Sequence, residues 1–281
     1  MQLLKQRGFS EFFSDTFSFI KENGGHFFTN YFIINGIFLI IQLVKNYYVG
    51  QGVMLPLVFE MLYALLAMLF GALNWTFVTV YLILYNERNT NFNYKDVLNY
   101  YKDNIGKIIV FVLVSIVILI PTMIVFYIAF LLSIITIVGP FIVYAAFVIW
   151  FSLAFYEYLY TNKGIIDCYT YSWKLFTKKF WSTTGSTALM LVIILIIYGL
   201  ALASTGIFSS FFEMNSNDPL GNMMIFKKAF SAPSTLIVIT FISVLAVLLQ
   251  ISQGIIYFSQ KELLENISAN SDIDQIGKIE Y

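Results

Sequence analysis

Six long apolar stretches limit the folds open to this sequence more than any other feature. They cover residues 27–49, 57–85, 107–131, 138–160, 181–208 and 234–260. A helix needs roughly 20 mostly apolar residues to cross the hydrocarbon core of a bilayer. Each stretch reaches that length, so the sequence predicts an all-α, polytopic membrane protein with six transmembrane helices.

Composition excludes several classes of protein and of site. Only 11% of the 281 residues are charged, whereas about a quarter are charged in a soluble globular chain. The formal net charge is zero, which gives no general attraction to polyanions, so we expect no nucleic-acid partner. One Cys and one His leave neither a disulfide framework nor a multi-histidine metal site. We therefore predict no metal and no cofactor.

The basic residues divide unevenly between the two sides of a six-span bundle. Thirteen fall in the amino-terminal segment, the second-to-third loop, the fourth-to-fifth loop and the tail, and three fall on the other side, namely Lys45, Lys227 and Lys228. Short loops rich in Lys and Arg face the cytoplasm. The excess of Lys over Arg, with many Asn and Ile, is typical of an AT-rich bacterial genome. We predict a bacterial inner-membrane protein with both termini cytoplasmic.

Three cytoplasmic segments share one pattern. The sequences SDTFSFIKENGGHFF from Ser14, KDVLNYYKDNIGKII from Lys95 and IDCYTYSWKLFTKKF from Ile166 align without a gap. Each segment predicts an amphipathic helix that leads into a hairpin of two spans. The sequence thus predicts one domain, 1–265, made of three repeats at about 9–88, 89–163 and 164–262. A polar cytoplasmic tail follows at 266–281.

This repeated pattern resembles a poorly characterised group of bacterial six-span proteins related to the membrane domain of glycerophosphodiester phosphodiesterase. The resemblance covers nearly all of residues 9–262 and lies in residue type, because an aromatic-rich amphipathic helix precedes each pair of spans. It implies a six-span fold and a role in the membrane. Phosphodiesterase activity does not follow from it, since the chain has no room for that catalytic domain.

The amphipathic segments supply the first set of candidate site residues. Aromatic side chains at helical spacing just before a span are typical of helices that lie in the membrane interface. Such helices either anchor the spans in membrane lipids or form a cytoplasmic collar that docks another membrane protein. The candidate contact residues are Phe13, Phe17, Tyr101, Trp173 and Phe176.

Polar residues inside the spans supply the second set. Glu60 lies near the start of the second span, where it is either an interfacial carboxylate reached by water or a Lys, or part of a functional site. Asn35, Gln42 and Asn74 either form hydrogen bonds between helices or line a polar path.

Three further residues are expected to have structural roles. Glu157 is expected at the interface, near Lys163. His26 is expected to be an interfacial anchor, and Cys168 a small buried side chain, because nothing near it in the sequence clearly lowers its pKa.

No motif in the sequence predicts catalysis. The single His leaves few nucleophile–base sets, no Gly-rich phosphate loop precedes a Lys, and no paired carboxylates lie close together within a span. We therefore expect a non-catalytic accessory subunit or scaffold of a membrane protein complex rather than an enzyme. The alternative is a carrier or flippase-like protein for lipid or a small amphiphile, and a membrane-embedded enzyme is a third possibility.

Overall fold

The structure is a computed structural model that describes residues 1–50, 56–136, 138–205 and 232–267, with residues 213, 218, 221, 222, 225 and 229. In this part of the chain the regular secondary structure is entirely helical. The main helices are α1 (Phe9–Gly50), α2 (Leu57–Arg88), α3 (Tyr94–Ser133), α4 (Gly139–Tyr160), α5 (Ile165–Lys178), α6 (Phe180–Ala203) and α7 (Pro233–Glu265). All of these except α5 are long and apolar enough to cross a membrane. The prediction of six membrane-spanning helices in an all-α, multi-pass protein is confirmed at that level.

The first two amphipathic segments differ from the sequence prediction in their continuity with the spans. The first two are not separate short helices but the amino-terminal ends of α1 and α3, which contain 42 and 40 residues. At 1.5 Å per residue, α1 is about 63 Å long, roughly twice the thickness of a hydrocarbon core. Only the third segment, α5, is separate, because the backbone leaves the helical conformation at Lys179 (φ −131°, ψ 52°).

The start of α3 follows the sequence closely. Asn93 is the N-cap residue, and its side-chain oxygen accepts a hydrogen bond from the backbone N–H of Lys95 at 2.8 Å. The Asp96 carboxylate in turn accepts the backbone N–H of Asn93 at 2.8 Å, which completes a capping box. Such a cap contributes about 1 kcal/mol, and it fixes where the 40-residue helix begins.

The turn between α3 and α4 is apolar and uncovered by the described chain. Ile134, Ile135 and Val138 are 56%, 89% and 59% exposed. Pro140 then lies in the first turn of α4, a position where its fixed φ favours helix initiation. An apolar turn left open by its own protein suits a shallow position within the membrane.

The chain divides into two compact units, described separately below. The first unit contains Met1–Phe28, Thr76–Leu191 and Leu249–Tyr281, and the second contains Thr29–Trp75 and Val192–Leu248. An aromatic cluster lies in the core of the first unit: the Tyr81 ring contacts those of Phe19, Phe27, Phe77 and Phe92 at centroid distances of 4.7–6.3 Å. Within this unit α4 packs against α3 and α5.

Candidate functional site

A fully buried charged group in the described chain is Glu157, in the last turn of α4. Its side chain is fully buried and interacts with three donors. Lys163 Nζ lies 2.7 Å from Oε1, while Tyr257 Oη donates to Oε2 at 2.7 Å and Lys261 Nζ lies 2.9 Å from Oε2. We call these four residues the Glu157 cluster. It joins α4 to α7 and to the α4–α5 loop.

A second carboxylate and an aromatic ring extend this cluster to α5. Lys261 Nζ also lies 3.2 Å from the Glu265 carboxylate. The same carboxylate accepts a hydrogen bond from the hydroxyl of Tyr171 on α5. The Tyr171 ring lies 3.9 Å from Lys163 Nζ and 5.0 Å from Lys261 Nζ. Cations over an aromatic face are attracted by its quadrupole. Two lysines and two carboxylates thus balance in charge, which offsets the burial of Glu157 and Lys261.

The electrostatics of the loop and of α5 follow from this arrangement. Burial acts to lower the pKa of Lys163, but the Glu157 carboxylate outweighs it, and the pKa of Lys163 lies above its ordinary value. Burial and the Glu265 carboxylate raise the pKa of the Tyr171 hydroxyl. Both shifts keep the protons on the donors. The cluster therefore holds helices together at neutral pH and offers no free base.

Cys168 lies on the buried face of α5, as expected. It is a free, buried thiol, and burial raises its pKa to about 11. A thiol with so high a pKa is almost wholly protonated at neutral pH and is a poor nucleophile. The structure therefore agrees with a packing role for this residue.

The aromatic candidates divide into exposed and buried residues. Phe17 and Trp173 are 40% and 52% exposed, and the Phe13 ring lies against Phe17 at a centroid distance of 4.9 Å. By contrast, Tyr101 and Phe176 are only 6% and 2% exposed. These two cannot be contact residues for a partner or lipid, because their rings already lie inside the chain. The contact set is corrected to Phe13, Phe17 and Trp173.

The buried face of α5 is rotated from the predicted one. Helical periodicity in the sequence predicts one apolar stripe, made of Ile165, Ile166, Tyr169, Trp173 and Phe176. Of these residues, Ile166 and Trp173 flank the buried face and are 72% and 52% exposed. The buried side chains of α5 are Cys168, Tyr169, Ser172, Leu175 and Phe176. Trp150 of α4 helps to set this rotation, since its indole N–H donates to the Tyr169 carbonyl at 3.2 Å.

The three aligned aromatic positions make comparable contacts. Phe19 packs against Tyr85 near the end of α2 at 5.1 Å between centroids, and the Tyr100 hydroxyl donates to the Leu159 carbonyl near the end of α4 at 2.9 Å. Tyr171 bonds to Glu265 at the end of α7. In each case the residue contacts the end of the helix that closes its own predicted repeat. The contacts agree with the repeat, which itself stays a prediction.

The four polar candidates all lie along one helix pair in the second unit. On α1, Asn35, Gln42 and Lys45 follow a spacing of seven and three residues; on α2, Glu60 and Asn74 are two heptads apart. Such spacings place residues on one face of a helix. Lys45 Nζ lies 3.3 Å from Glu60. We call the four candidates together with Lys45 the polar seam.

The two ends of the polar seam differ. Glu60 is 40% exposed at its side chain and paired with Lys45, whose Nζ also lies 4.1 Å from the Tyr63 ring centroid. Asn35 is fully buried, and neither polar atom of its amide has a hydrogen-bond partner among the described residues. The Asn74 side-chain oxygen is in the same situation. The expected lysine contact of Glu60 is therefore present, whereas no inter-helix bond of Asn35 is described.

Gln42 lines a cavity between the two helices of the seam. The cavity has a volume of about 230 Å³, and its lining residues are Phe38, Ile41, Gln42, Tyr63, Leu66, Ala67 and Phe70. Phe38 and Phe70 stack at 5.4 Å between centroids, with an interplanar angle of 25°. We call this cavity the hairpin cleft. It is mainly apolar, with the Gln42 amide and the Tyr63 hydroxyl as polar groups.

Arg7 and Lys261 are two buried charged residues that the sequence did not predict to be buried. Arg7 is 1% exposed, pairs with Asp15 at 2.8 Å and donates to three backbone carbonyls of residues 2–5. Lys261 is 4% exposed. Tyr257, Lys261 and Glu265 are four residues apart on α7, and this spacing in the sequence could have predicted the site around Lys261.

His26 has specific partners rather than a general interfacial position. Its Nε2 lies 2.7 Å from the Phe92 carbonyl oxygen and its Nδ1 lies 2.7 Å from the Tyr81 hydroxyl. A carbonyl only accepts, so Nε2 carries a proton. The ring ties α1 to the α2–α3 connection. Among the described residues, no group of three or more His, Cys, Asp or Glu side chains could hold a metal ion.

Comparisons with known proteins found no match to a family model, to a curated protein or to a solved structure. The likeness to the membrane domain of glycerophosphodiester phosphodiesterase therefore stays a prediction from residue pattern. In the described part of the chain, six of the helices are long and apolar enough to cross a membrane, which defines the class as a multi-pass membrane protein.

Proposed function

We propose that this protein is a non-catalytic integral subunit, or scaffold, of a bacterial inner-membrane protein complex, with both termini in the cytoplasm. The observation that carries the proposal is the way α5 is held. Its inner face is buried against the chain and Tyr171 joins it to the Glu157 cluster, while Trp173 is left 52% exposed. A rigid helix with a large exposed aromatic side chain is typical of a protein contact site.

The exposed aromatic side chains of α1 belong to the same proposal. Phe13 and Phe17 are four residues apart and form a tilted ring pair on the amino-terminal part of α1. Phe17 is 40% exposed. These rings contact membrane lipids, the partner subunit or both, as interfacial aromatic residues do. No catalytic group is required for this role.

The direct test is native purification of the tagged protein, followed by quantification of co-purifying proteins by mass spectrometry. We expect a partner in constant stoichiometry, and we expect Trp173→Ala to reduce its recovery at least about fivefold, as loss of a moderate contact residue does. Trp181→Ala is the matched control, because Trp181 is also exposed, at 72%, but lies on α6. Equal recovery with both variants, at normal abundance, argues against docking through α5.

A second candidate function is favoured by the polar seam. A carrier for lipid or a small amphiphile needs polar groups and space inside the bilayer, and the seam and the hairpin cleft supply both in one helix pair. The Glu60→Gln variant separates the two functions. It leaves partner recovery intact in a scaffold, whereas it lowers transport in a carrier that uses the charge.

A further inference from the structure

The hairpin cleft combines an apolar lining with a pair of opposite charges at one end. Phe38, Ile41, Leu66 and Phe70 form most of its wall, and Tyr63 lies at the end where Lys45 Nζ is 4.1 Å from the Tyr63 ring centroid. Lys45 is in turn 3.3 Å from Glu60. The site therefore has the two parts that an amphiphile has: an apolar part and a charged part next to it.

The size of the cleft sets what it can hold. An apolar cavity of about 150 Å³ in a protein interior holds a molecule the size of benzene. The 230 Å³ of this cleft is thus enough for several methylene groups of one acyl chain, and not for a whole lipid. Ala67, an exposed small residue of the lining, leaves the cleft open along α2. A chain can therefore enter from the side.

The charges determine which headgroup suits the site. Lys45 and Glu60 have side chains that are 22% and 40% exposed, so both can reach a ligand while they remain close to each other. A purely anionic headgroup is attracted by Lys45 but is repelled by Glu60. A zwitterionic headgroup that has a phosphate and a primary ammonium matches both, because like charges at such distances oppose binding and unlike charges favour it.

We propose that the hairpin cleft is a binding site for a zwitterionic phospholipid of the phosphatidylethanolamine type. The phosphate pairs with Lys45 and the ammonium with Glu60, and the first part of one acyl chain lies in the cleft against Phe38, Tyr63 and Phe70. The Gln42 amide faces the same space and can bond the ester region. The site goes beyond the scaffold function and does not depend on it.

The test uses the full-length protein in detergent, with native mass spectrometry after addition of an equimolar mixture of phosphatidylethanolamine and phosphatidylglycerol. We expect one phosphatidylethanolamine per chain, in preference to phosphatidylglycerol. Glu60→Gln should lower the ratio of phosphatidylethanolamine to phosphatidylglycerol up to about fivefold, the range for a partly exposed charge pair. Lys45→Gln should reduce binding of both lipids. An unchanged ratio in Glu60→Gln would overturn the proposal.

The apolar part has its own matched pair of variants. Ala67→Phe fills the cleft and should reduce occupancy by both lipids, while Ala64→Phe, one turn earlier on α2 and outside the lining, should not. Soluble glycerophosphoethanolamine has the same headgroup without chains and should not displace the lipid. Displacement by it, or equal loss in both Ala variants, contradicts a lipid site. If Ala67→Phe fails to fold, the two charge variants decide.

Loss of this site and loss of the proposed scaffold function are distinguishable. Partner recovery depends on Trp173, whereas lipid occupancy depends on Lys45, Glu60 and Ala67. A failure of the lipid test therefore leaves the docking result standing, and the reverse also holds. Occupancy without transport in vesicles would retain the site and remove only the carrier function.

Discussion

Two lysines contact the same buried carboxylate, yet their surroundings differ. Lys163 is 41% exposed at its side chain, and Lys261 only 5%. A buried partner cannot be replaced by water when it is removed, whereas an exposed one can. The contribution of each lysine to stability should therefore be very different, although their distances to Glu157 are 2.7 and 2.9 Å.

We expect Lys261→Met to lower the free energy of unfolding by about 3 kcal/mol, because Glu157 and Glu265 both lose a buried cation. Lys163→Met should cost about 1 kcal/mol or less. Denaturant unfolding in detergent, followed by circular dichroism, measures both. Equal losses for the two variants would show that burial does not determine the strength of these pairs.

Only some contacts of individual residues could be predicted from the sequence. The contact of Glu157 with Lys163 was predictable, because six residues and a helix end separate them. The contact with Lys261 spans 104 residues and depends on how α4 and α7 pack. Tyr101 and Phe176 were predicted to contact a partner or lipid, since periodicity identifies an apolar face without showing what covers it.

The helix α7 approaches α2 and α4 closely at Gly254. A Cβ atom there would lie 2.5 Å from the Tyr156 hydroxyl oxygen and 2.9 Å from Tyr156 Cζ, and closer still to Leu82 Cδ1. These distances are below van der Waals contact, so only glycine fits without a shift of the Leu82 or Tyr156 side chain. Small residues permit such close packing between helices.

We expect Gly254→Ala to destabilise the protein by about 1–3 kcal/mol, the usual cost of overpacking. Gly106→Ala is the control, because a Cβ at Gly106, also inside a helix, meets nothing within 4 Å. It should be neutral or stabilising by up to about 1 kcal/mol, since alanine favours helix. Thermal unfolding of both variants measures the difference. A stabilised Gly254→Ala variant would contradict the close packing of α7.

The helix bounds show which features of the helices local sequence can predict. Apolar length predicted all six spans, and the Asn93 cap was predictable from its residue type and position. The continuity of α1 and α3 was not predictable in this way. Gly24, Gly25 and Gly106 each disfavour the helix by only about 1 kcal/mol, and the neighbouring helical turns outweigh that cost. The rotation of α5 follows from its contact with α4, and the periodicity of the sequence does not predict that contact.

The topology of the whole molecule is defined by the six proposed crossings and by the side of the membrane that each loop faces. Helix length and composition support the crossings, while the orientation rests on the distribution of Lys and Arg. Cys168 makes a thiol-based test clean. It is the single native cysteine, it is buried, and its raised pKa of about 11 keeps it unreactive near neutral pH.

The most direct measurement is labelling of single engineered cysteines with a membrane-impermeant maleimide, on intact cells and on inverted vesicles. Asn91 and Asn162 are exposed in the α2–α3 and α4–α5 loops, and Asp218 is exposed between α6 and α7. We expect Asn91→Cys and Asn162→Cys to react only in inverted vesicles, and Asp218→Cys only in intact cells. Reaction of Asn162→Cys in intact cells, or of Asp218→Cys and Asn162→Cys from the same side, would contradict this topology.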